Sequence, residues 1–178
     1  IIAITGTNGK STTTKLVGDI LKVNKIKTFV GGNIGEPLCN SLITNKNYDY
    51  HVIELSSFQL ETVKNINTKI SVITNLANDH LDRYKNINDY IKQKKNIITK
   101  TGVNLFSIDD KFSKAIFNQE KINNKISFSI LDKSADIYMK NGIICDKFFY
   151  KNKKILIKNI SKDLEGNFNS QNILISYI

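Results

Sequence analysis

The sequence predicts an α/β fold: a P-loop-type, mostly parallel sheet flanked by helices on both faces, with a small antiparallel β appendage near the C-terminal end. Three observations predict it. Short β-branched runs that read as continuous apolar strands alternate with amphipathic stretches through the first half, as in a parallel sheet covered on both sides. A glycine-rich loop, "GTNGKST" at Gly6–Thr12, joins the first such run to the first amphipathic stretch. From about Ser127 to Ile160 the texture changes to short strand-like pieces broken by Asn-Gly and Lys-Asn turns, which marks antiparallel hairpins.

Taken in order, the strand Ile1–Thr5 ("IIAIT") leads through the loop into a helix over Ser11–Val23. Lys27–Val30 is the second strand and Pro37–Thr44 the second helix. Tyr50–Leu55 ("YHVIEL") is a third apolar strand, followed by a helix over Phe58–Val63. Ile70–Asn75 and Val103–Ile108 are further strands, with a helix over Ile87–Thr99 between them. Residues 127–160 form the hairpin appendage of the same domain, and "GNFNSQNILISYI" reads as a loop opening a final helix.

A chain of 178 residues, 40% hydrophobic, can bury one sizeable core. It enters its first strand without a lead-in and stops inside an apolar-periodic stretch, so we expect one domain, residues 1–178, of a longer protein. No apolar run is long enough to span a membrane. Cys39 and Cys145 are scattered thiols that suit a reducing cytoplasm and not a disulfide scaffold. The net charge of +10 comes almost wholly from lysine spread along the chain, with Arg83 the only arginine. Surfaces that read bases or fork phosphates favour arginine, so a nucleic-acid partner is not expected.

The loop departs from the common spacing G-x-x-x-x-G-K-[ST], which would place its first glycine where Ile4 stands. Its parts still suit phosphate. Gly6 and Gly9 let the backbone turn its N–H groups toward an anion, and the helix behind them offers its positive end. Lys10 can reach terminal phosphates, and the Ser11 hydroxyl can hold Mg²⁺. A capped strand–helix turn with a solvated lysine is the plainer alternative. Glu54, ending an apolar strand, is placed to ligate Mg²⁺, against a carboxylate merely paired with lysine. His80, on the loop after the strand "ISVITNL", can bind metal or a substrate oxygen, or serve structurally. Asp79 beside it is a functional group or a cap, and His51, inside a strand, is given no role. Lys94 lies in the lysine-rich "IKQKKNIITK", which alone reads as a solvated face.

The compact loop resembles that of the Mur ligase family, in which Ile4 still belongs to the strand and the loop begins at Gly6. "GGNIGEPL" at Gly31–Leu38, "ELSSFQLE" at Glu54–Glu61, "NDHLDRY" at Asn78–Tyr84, "YIKQKKNI" at Tyr90–Ile97 and "GNFNSQN" at Gly166–Asn172 agree with it in order. "SSFQLE" is the most discriminating and resembles the branch that adds D-glutamate. The resemblance implies the central ATPase domain of a three-domain, monomeric, cytoplasmic ligase of peptidoglycan synthesis. Its substrates would be ATP, UDP-N-acetylmuramoyl-L-alanine and D-glutamate, and its cofactor two Mg²⁺ ions. It further implies that Gly6, Thr7, Asn8, Gly9, Lys10, Ser11, Thr12 and Asn169 bind ATP. Asn33, Ser56, Gln59 and His80 would line the substrate site. Ser11 and Glu54 would hold one metal, and Glu54, His80 and a carbamylated Lys94 the other, with Lys10, Glu54, His80 and Lys94 as the catalytic set. Ordinary capping rivals the roles of Ser56 and Gln59, and a left-handed turn that of Asn33. Lys94 is placed by counting from Tyr90, with Lys92 and Lys95 as its rivals. Phe168 stands where the family often has histidine. A sister or folylpolyglutamate-type ligase with another acceptor, a non-ligating P-loop module and a basic nucleic-acid binder are the alternatives.

Overall fold

The computed structural model describes every residue except Asn45, Asn65, His80, Leu81, Glu120, Asn123, residues 159–161 and Glu165, and describes Asp163, Asn167 and Phe168 by their backbone. The strands are β1 (Ile2–Thr5), β2 (Thr28–Gly32), β3 (Tyr50–Glu54), β4 (Ile70–Ile73), β5 (Val103–Ser107), β6 (Lys125–Ser129), β7 (Ile137–Lys140), β8 (Ile143–Asp146) and β9 (Lys153–Leu156). They join in one sheet of order β2-β3-β1-β4-β5-β6-β7-β8-β9. Pairing is parallel from β2 through β7 and antiparallel across β7, β8 and β9. The helices are α1 (Lys10–Val23), α2 (Asn40–Ile43), α3 (Ser57–Thr62), α4 (Ile87–Lys94), α5 (Lys111–Gln119) and α6 (Asn167–Tyr177).

Both faces of the central, parallel part of the sheet are covered, which explains why its strands read as largely apolar runs. Alternation along each strand sends its residues to opposite cores. Ile2, Ile4, Val52, Val72 and Leu105 pack under α1 and α6, against Val17, Leu21, Leu174 and Ile175. Ala3, Ile53, Ile73 and Phe106 pack on the other face, with Leu60 of α3, Tyr90 of α4, Ile97 and Ile116 of α5. Thr5 shares this second face, which matters for the site below.

Several elements differ from expectation, each for a local reason. The second helix is one turn, Asn40–Ile43, and does not start at Pro37. The helix expected to reach Thr99 ends at Lys94 and tightens into a 3-10 turn at Lys95–Ile97, after which Ile98 is extended (ψ 122°). Helix α5 was not anticipated. Asp110 starts it by accepting the Phe112 and Ser113 N–H groups at 3.0 and 2.8 Å, an acidic N-cap. The hairpin strands run over Ile137–Leu156, while β6, which begins at Lys125, is a parallel strand of the main sheet. The Asn-Gly turn is present: Asn141 and Gly142 both take positive φ (50° and 70°), as a tight hairpin requires.

Buried Asn104 closes the far end of the sheet. Its Oδ1 accepts from Ser71 Oγ (2.6 Å) and the Thr99 N–H (2.9 Å), and its Nδ2 donates to the Thr99 and Asn124 carbonyls (2.9 and 3.3 Å). Asn104→Ala leaves those buried partners unpaired, at a cost of about 2–4 kcal/mol. Thermal unfolding should show a melting point lower by roughly 5–10 °C.

Candidate functional site

Strands β1, β3 and β4 lie side by side in parallel, so their carboxyl ends and the loops beyond them meet at one edge, where open α/β sheets bind ligands. The loop from Gly6 to Gly9 leaves β1 there. Gly6 has φ 148°, and a Cβ on it would fall 1.9 Å from Thr74 Oγ1. Gly9 has φ 79°, and a Cβ on it would fall 2.4 Å from Asn172 Oδ1. Both positions therefore need glycine.

The loop is braced from two sides. From the two residues after β4, Thr7 N–H donates to the Asn75 carbonyl (2.9 Å) and Asn8 N–H to Asn75 Oδ1 (2.9 Å), while Thr74 Oγ1 and Asn75 Nδ2 donate to the Asn8 carbonyl (2.7 and 3.0 Å). From α6, Asn172 Oδ1 accepts from Thr13 Oγ1 (3.0 Å), and Asn172 Nδ2 donates to Asn169 Oδ1 (3.1 Å). The first intrahelical bond of α1 runs from Thr13 N–H to the Gly9 carbonyl (2.9 Å). The N–H groups of Lys10, Ser11 and Thr12 accordingly have no carbonyl four residues back to pair with, and they carry the helix's positive end. Lys10 Nζ donates to the Thr7 carbonyl at 2.9 Å, which holds its ammonium over the loop. Such a nest suits phosphate.

Glu54 ends β3 as a buried residue, 2% exposed. Ser11 Oγ donates to its Oε2 (2.7 Å) and Asn33 Nδ2 to its Oε1 (2.9 Å), with Asn33 N–H bonded to the Glu54 carbonyl (2.9 Å). Both side-chain donors are neutral groups, so neither forms an ion pair with Glu54. Among the described residues no three His, Cys, Asp or Glu side chains cluster as a metal cage. Mg²⁺ usually takes one or two carboxylates plus phosphate oxygens and water, so the hard-oxygen pair of Ser11 and Glu54 fits it.

Lys94 lies in no solvated face: it is 2% exposed, beneath the loop. Its Nζ donates to Thr5 Oγ1 and to the Gly6 carbonyl, both at 2.9 Å, and sits 5.3 Å from the centre of the Tyr90 ring. Burial, and then the nearby Lys10 charge, pull its pKa down to about 7, against the opposing pull of Asp79 and Glu54. Lys92 and Lys95 sit on the same helical segment but stay more exposed. Tyr90 shares an interaction with Thr7 Oγ1 (3.1 Å), and burial first of all raises its phenol to about 12.

Ser56 and Gln59 form a reciprocal capping box on α3: Gln59 N–H donates to Ser56 Oγ (3.2 Å) and Ser56 N–H to Gln59 Oε1 (2.9 Å). Both stay near the end of β3 that carries Glu54. His80 lies outside the described residues. Residues 5, 74, 75, 90 and 172 belong to the site although the sequence alone gave no role to them; the signal that could have found Asn172 is a second asparagine three residues after Asn169. Beside the loop, toward β5 and β6, opens a cavity of about 280 Å³ bounded by Asn8, Ala77, Asp110, Leu131 and Gln171.

Comparison with known proteins identifies the family of this fold. The family model described as "Mur ligase middle domain" matches residues 4–178. A curated UDP-N-acetylmuramoylalanine--D-glutamate ligase of Rickettsia prowazekii is 40% identical over 99% of this chain, and its namesake in Rickettsia bellii is 42% identical over 99%. The chain spans about two fifths of these relatives' length (39% and 40%). Among solved structures, a UDP-N-acetylmuramoyl-L-alanyl-D-glutamate--2,6-diaminopimelate ligase superposes with a TM-score of 0.76 at 20% identity, covering 98% of this chain and 41% of that one. MurF from Acinetobacter baumannii does so with a TM-score of 0.69 at 20% identity, covering 99% and 40%. The chain belongs to the Mur ligase family, as one of its middle domains.

Proposed function

We propose that residues 1–178 are the ATP-binding unit of a longer, three-domain amide ligase that joins D-glutamate to UDP-N-acetylmuramoyl-L-alanine in peptidoglycan synthesis. The observation that carries the reading is the meeting of three ionisable side chains around one glycine-rich loop: Lys10 at its end, Glu54 at the tip of β3 and Lys94 beneath Gly6. The acceptor is inferred from relatives about 40% identical that bear that name. The share of their length that this chain spans supports further domains. The free thiols of Cys39 and Cys145 suit the cytoplasm.

The reaction has two stages. The L-alanine carboxylate attacks the γ-phosphorus of ATP, forming an acyl phosphate and releasing ADP. The D-glutamate amine then attacks the acyl carbon, and inorganic phosphate leaves as the amide forms. Anionic groups must meet in line, so the protein's task is positioning and charge compensation, and no protein nucleophile is needed. In this reading the loop N–H groups and Lys10 grip the phosphates. The cavity beside Asn8 takes the nucleoside end, and Asn169 is assigned to the nucleotide. Ser11 and Glu54 would hold one Mg²⁺, and Glu54, His80 and Lys94 as its carbamate a second. Bound Mg²⁺ supplies neutralisation of the charge shared by the attacking carboxylate and the transferred phosphoryl group.

An amine that titrates near pH 7 is largely neutral at slightly higher pH, the form that adds CO₂ to give a carbamate and a proton. A carbamate nitrogen keeps one hydrogen, so the modified Lys94 gives up one of its two present bonds, to Thr5 or to Gly6. Asn33, Ser56, Gln59 and His80 are assigned to the substrate side. The test is phosphate release by the full-length protein from ATP, Mg²⁺ and UDP-N-acetylmuramoyl-L-alanine, with D-glutamate, L-lysine, diaminopimelate or D-alanyl-D-alanine added in turn. Release with D-glutamate alone is expected. Release with another acceptor keeps the ligase chemistry and overturns the specificity, and hydrolysis indifferent to acceptor overturns both.

A further inference from the structure

In a chain with 26 Lys and Arg residues, 25 are lysine, and the one arginine, its side chain 53% exposed, makes a contact whose geometry a lysine cannot reproduce. Arg83 forks the carboxylate of Glu61 on α3, with Nε 3.3 Å from Oε1 and Nη2 2.8 Å from Oε2. Its guanidinium carbon lies 4.7 Å from the centre of the Phe58 ring. Fork and stacking together need a planar, delocalised cation, which an ammonium is not. Tyr84, next in sequence, donates its hydroxyl to the same Glu61 Oε1 at 2.7 Å.

These contacts reach inward. Phe58 and Tyr84 stack with centroids 6.1 Å apart at 20°, and Tyr84 packs against Tyr90 at 5.5 Å. Tyr90 touches Thr7 of the phosphate loop through its hydroxyl and lies against Lys94 through its ring. The clamp therefore ties α3, whose N-terminal turn carries Ser56 and Gln59, to Arg83 and Tyr84 of the chain beyond β4. Its aromatic wall closes over the buried lysine.

We infer that Arg83 and Glu61 are positioning residues: as a forked pair they fix α3 and the segment after β4 at the spacing that the nucleotide-sugar substrate requires. The inference rests on the ligase reading for its substrate and on the contacts above for the clamp itself. The phosphate loop has its own braces at Thr74, Asn75 and Asn172, so ATP binding should not depend on the clamp.

The test uses the full-length protein with Arg83→Lys, Arg83→Ala, Glu61→Gln and the swap Arg83→Glu/Glu61→Arg. With UDP-N-acetylmuramoyl-L-alanine as varied substrate, kcat/KM should fall about 10- to 100-fold in each single variant, the Lys variant included, while the KM for ATP stays within about threefold. The swap should recover part of the loss, and Arg83→Ala combined with Glu61→Gln should cost no more than either alone. Equal rises in both KM values with a lowered melting point, or additive losses, would overturn the clamp as a positioning device. A second readout does not depend on activity: amide exchange at Ser57–Thr62 and Asp82–Tyr84 should quicken in Arg83→Lys. Unchanged exchange there would overturn the clamp. A wild-type protein that releases no phosphate with D-glutamate, yet shows the quickened exchange in the variant, would instead sink the ligase reading and leave the clamp standing.

Discussion

Glu54→Ala in the full-length protein is expected to lower turnover by at least about 10²- to 10³-fold, and Lys10→Ala by a similar factor. Glu54 is buried at the end of β3 with its two oxygens held by Ser11 and Asn33, so its charge is fixed in place before any substrate arrives. Removing it takes away a preorganised partner for cationic charge and also frees Ser11 and Asn33. Glu54→Gln separates these effects: it keeps hydrogen-bonding capacity while losing the charge. It should be impaired nearly as far as Glu54→Ala. Steady-state phosphate release checks all three, and near-normal turnover in Glu54→Ala or Lys10→Ala would sink the assignment of the site.

Lys94 gives the second large effect, and it has a pH signature. In the unfolded chain its amine stays protonated up to about its ordinary 10.5, whereas in the fold it releases its proton near 7. Between those values the unfolded state holds more protons, so stability must rise with pH. The slope from this one group is roughly 1 kcal/mol per pH unit from about pH 7.5 to 10, falls to about half that near pH 7, and fades out by about pH 6, where both states are protonated. Urea unfolding of the ligand-free 178-residue chain at pH 7.0, 8.0 and 9.0 measures it. Lys94→Met should flatten that slope and raise stability near neutral pH, because a buried cation is replaced by an apolar chain of similar length. The same substitution in the full-length protein should lower turnover by about 10²-fold or more, a trade of activity for stability common at functional sites. A slope unchanged by Lys94→Met would mean that other groups set the pH dependence.

How much of this was legible in the sequence depended on how local the cause was. The parallel sheet announced itself because β1, β3, β4 and β5 are largely buried and so are mostly apolar, with only one or two polar residues in each. The glycine-rich loop was legible because its backbone geometry demands glycine at Gly6 and Gly9. Glu54 was legible as a lone carboxylate closing an apolar strand. Helix α5 was missed although Asp110 is an ordinary N-cap, since its short stretch sits where the strand pattern was already loosening. Lys94 shows the limit from the other side. Among so many lysines, nothing in the local pattern separates a buried one from solvated ones; only tertiary packing by Tyr90, Thr5 and the loop does. The bracing by Asn75 and Asn172 was illegible for the same reason, because those residues come from 67 and 159 positions away from their partners.

The central claim is that this site activates a carboxylate by phosphorylating it, and oxygen tracing tests that most directly. The full-length protein would be given ATP, Mg²⁺, D-glutamate and UDP-N-acetylmuramoyl-L-alanine carrying ¹⁸O in both oxygens of the alanine carboxylate, and the released phosphate analysed by mass. If an acyl phosphate forms and the amine attacks its carbon, each phosphate leaves with one ¹⁸O from the carboxylate. Phosphate free of ¹⁸O while ATP is consumed would mean that water, not the substrate carboxylate, takes the phosphoryl group, and would contradict the account.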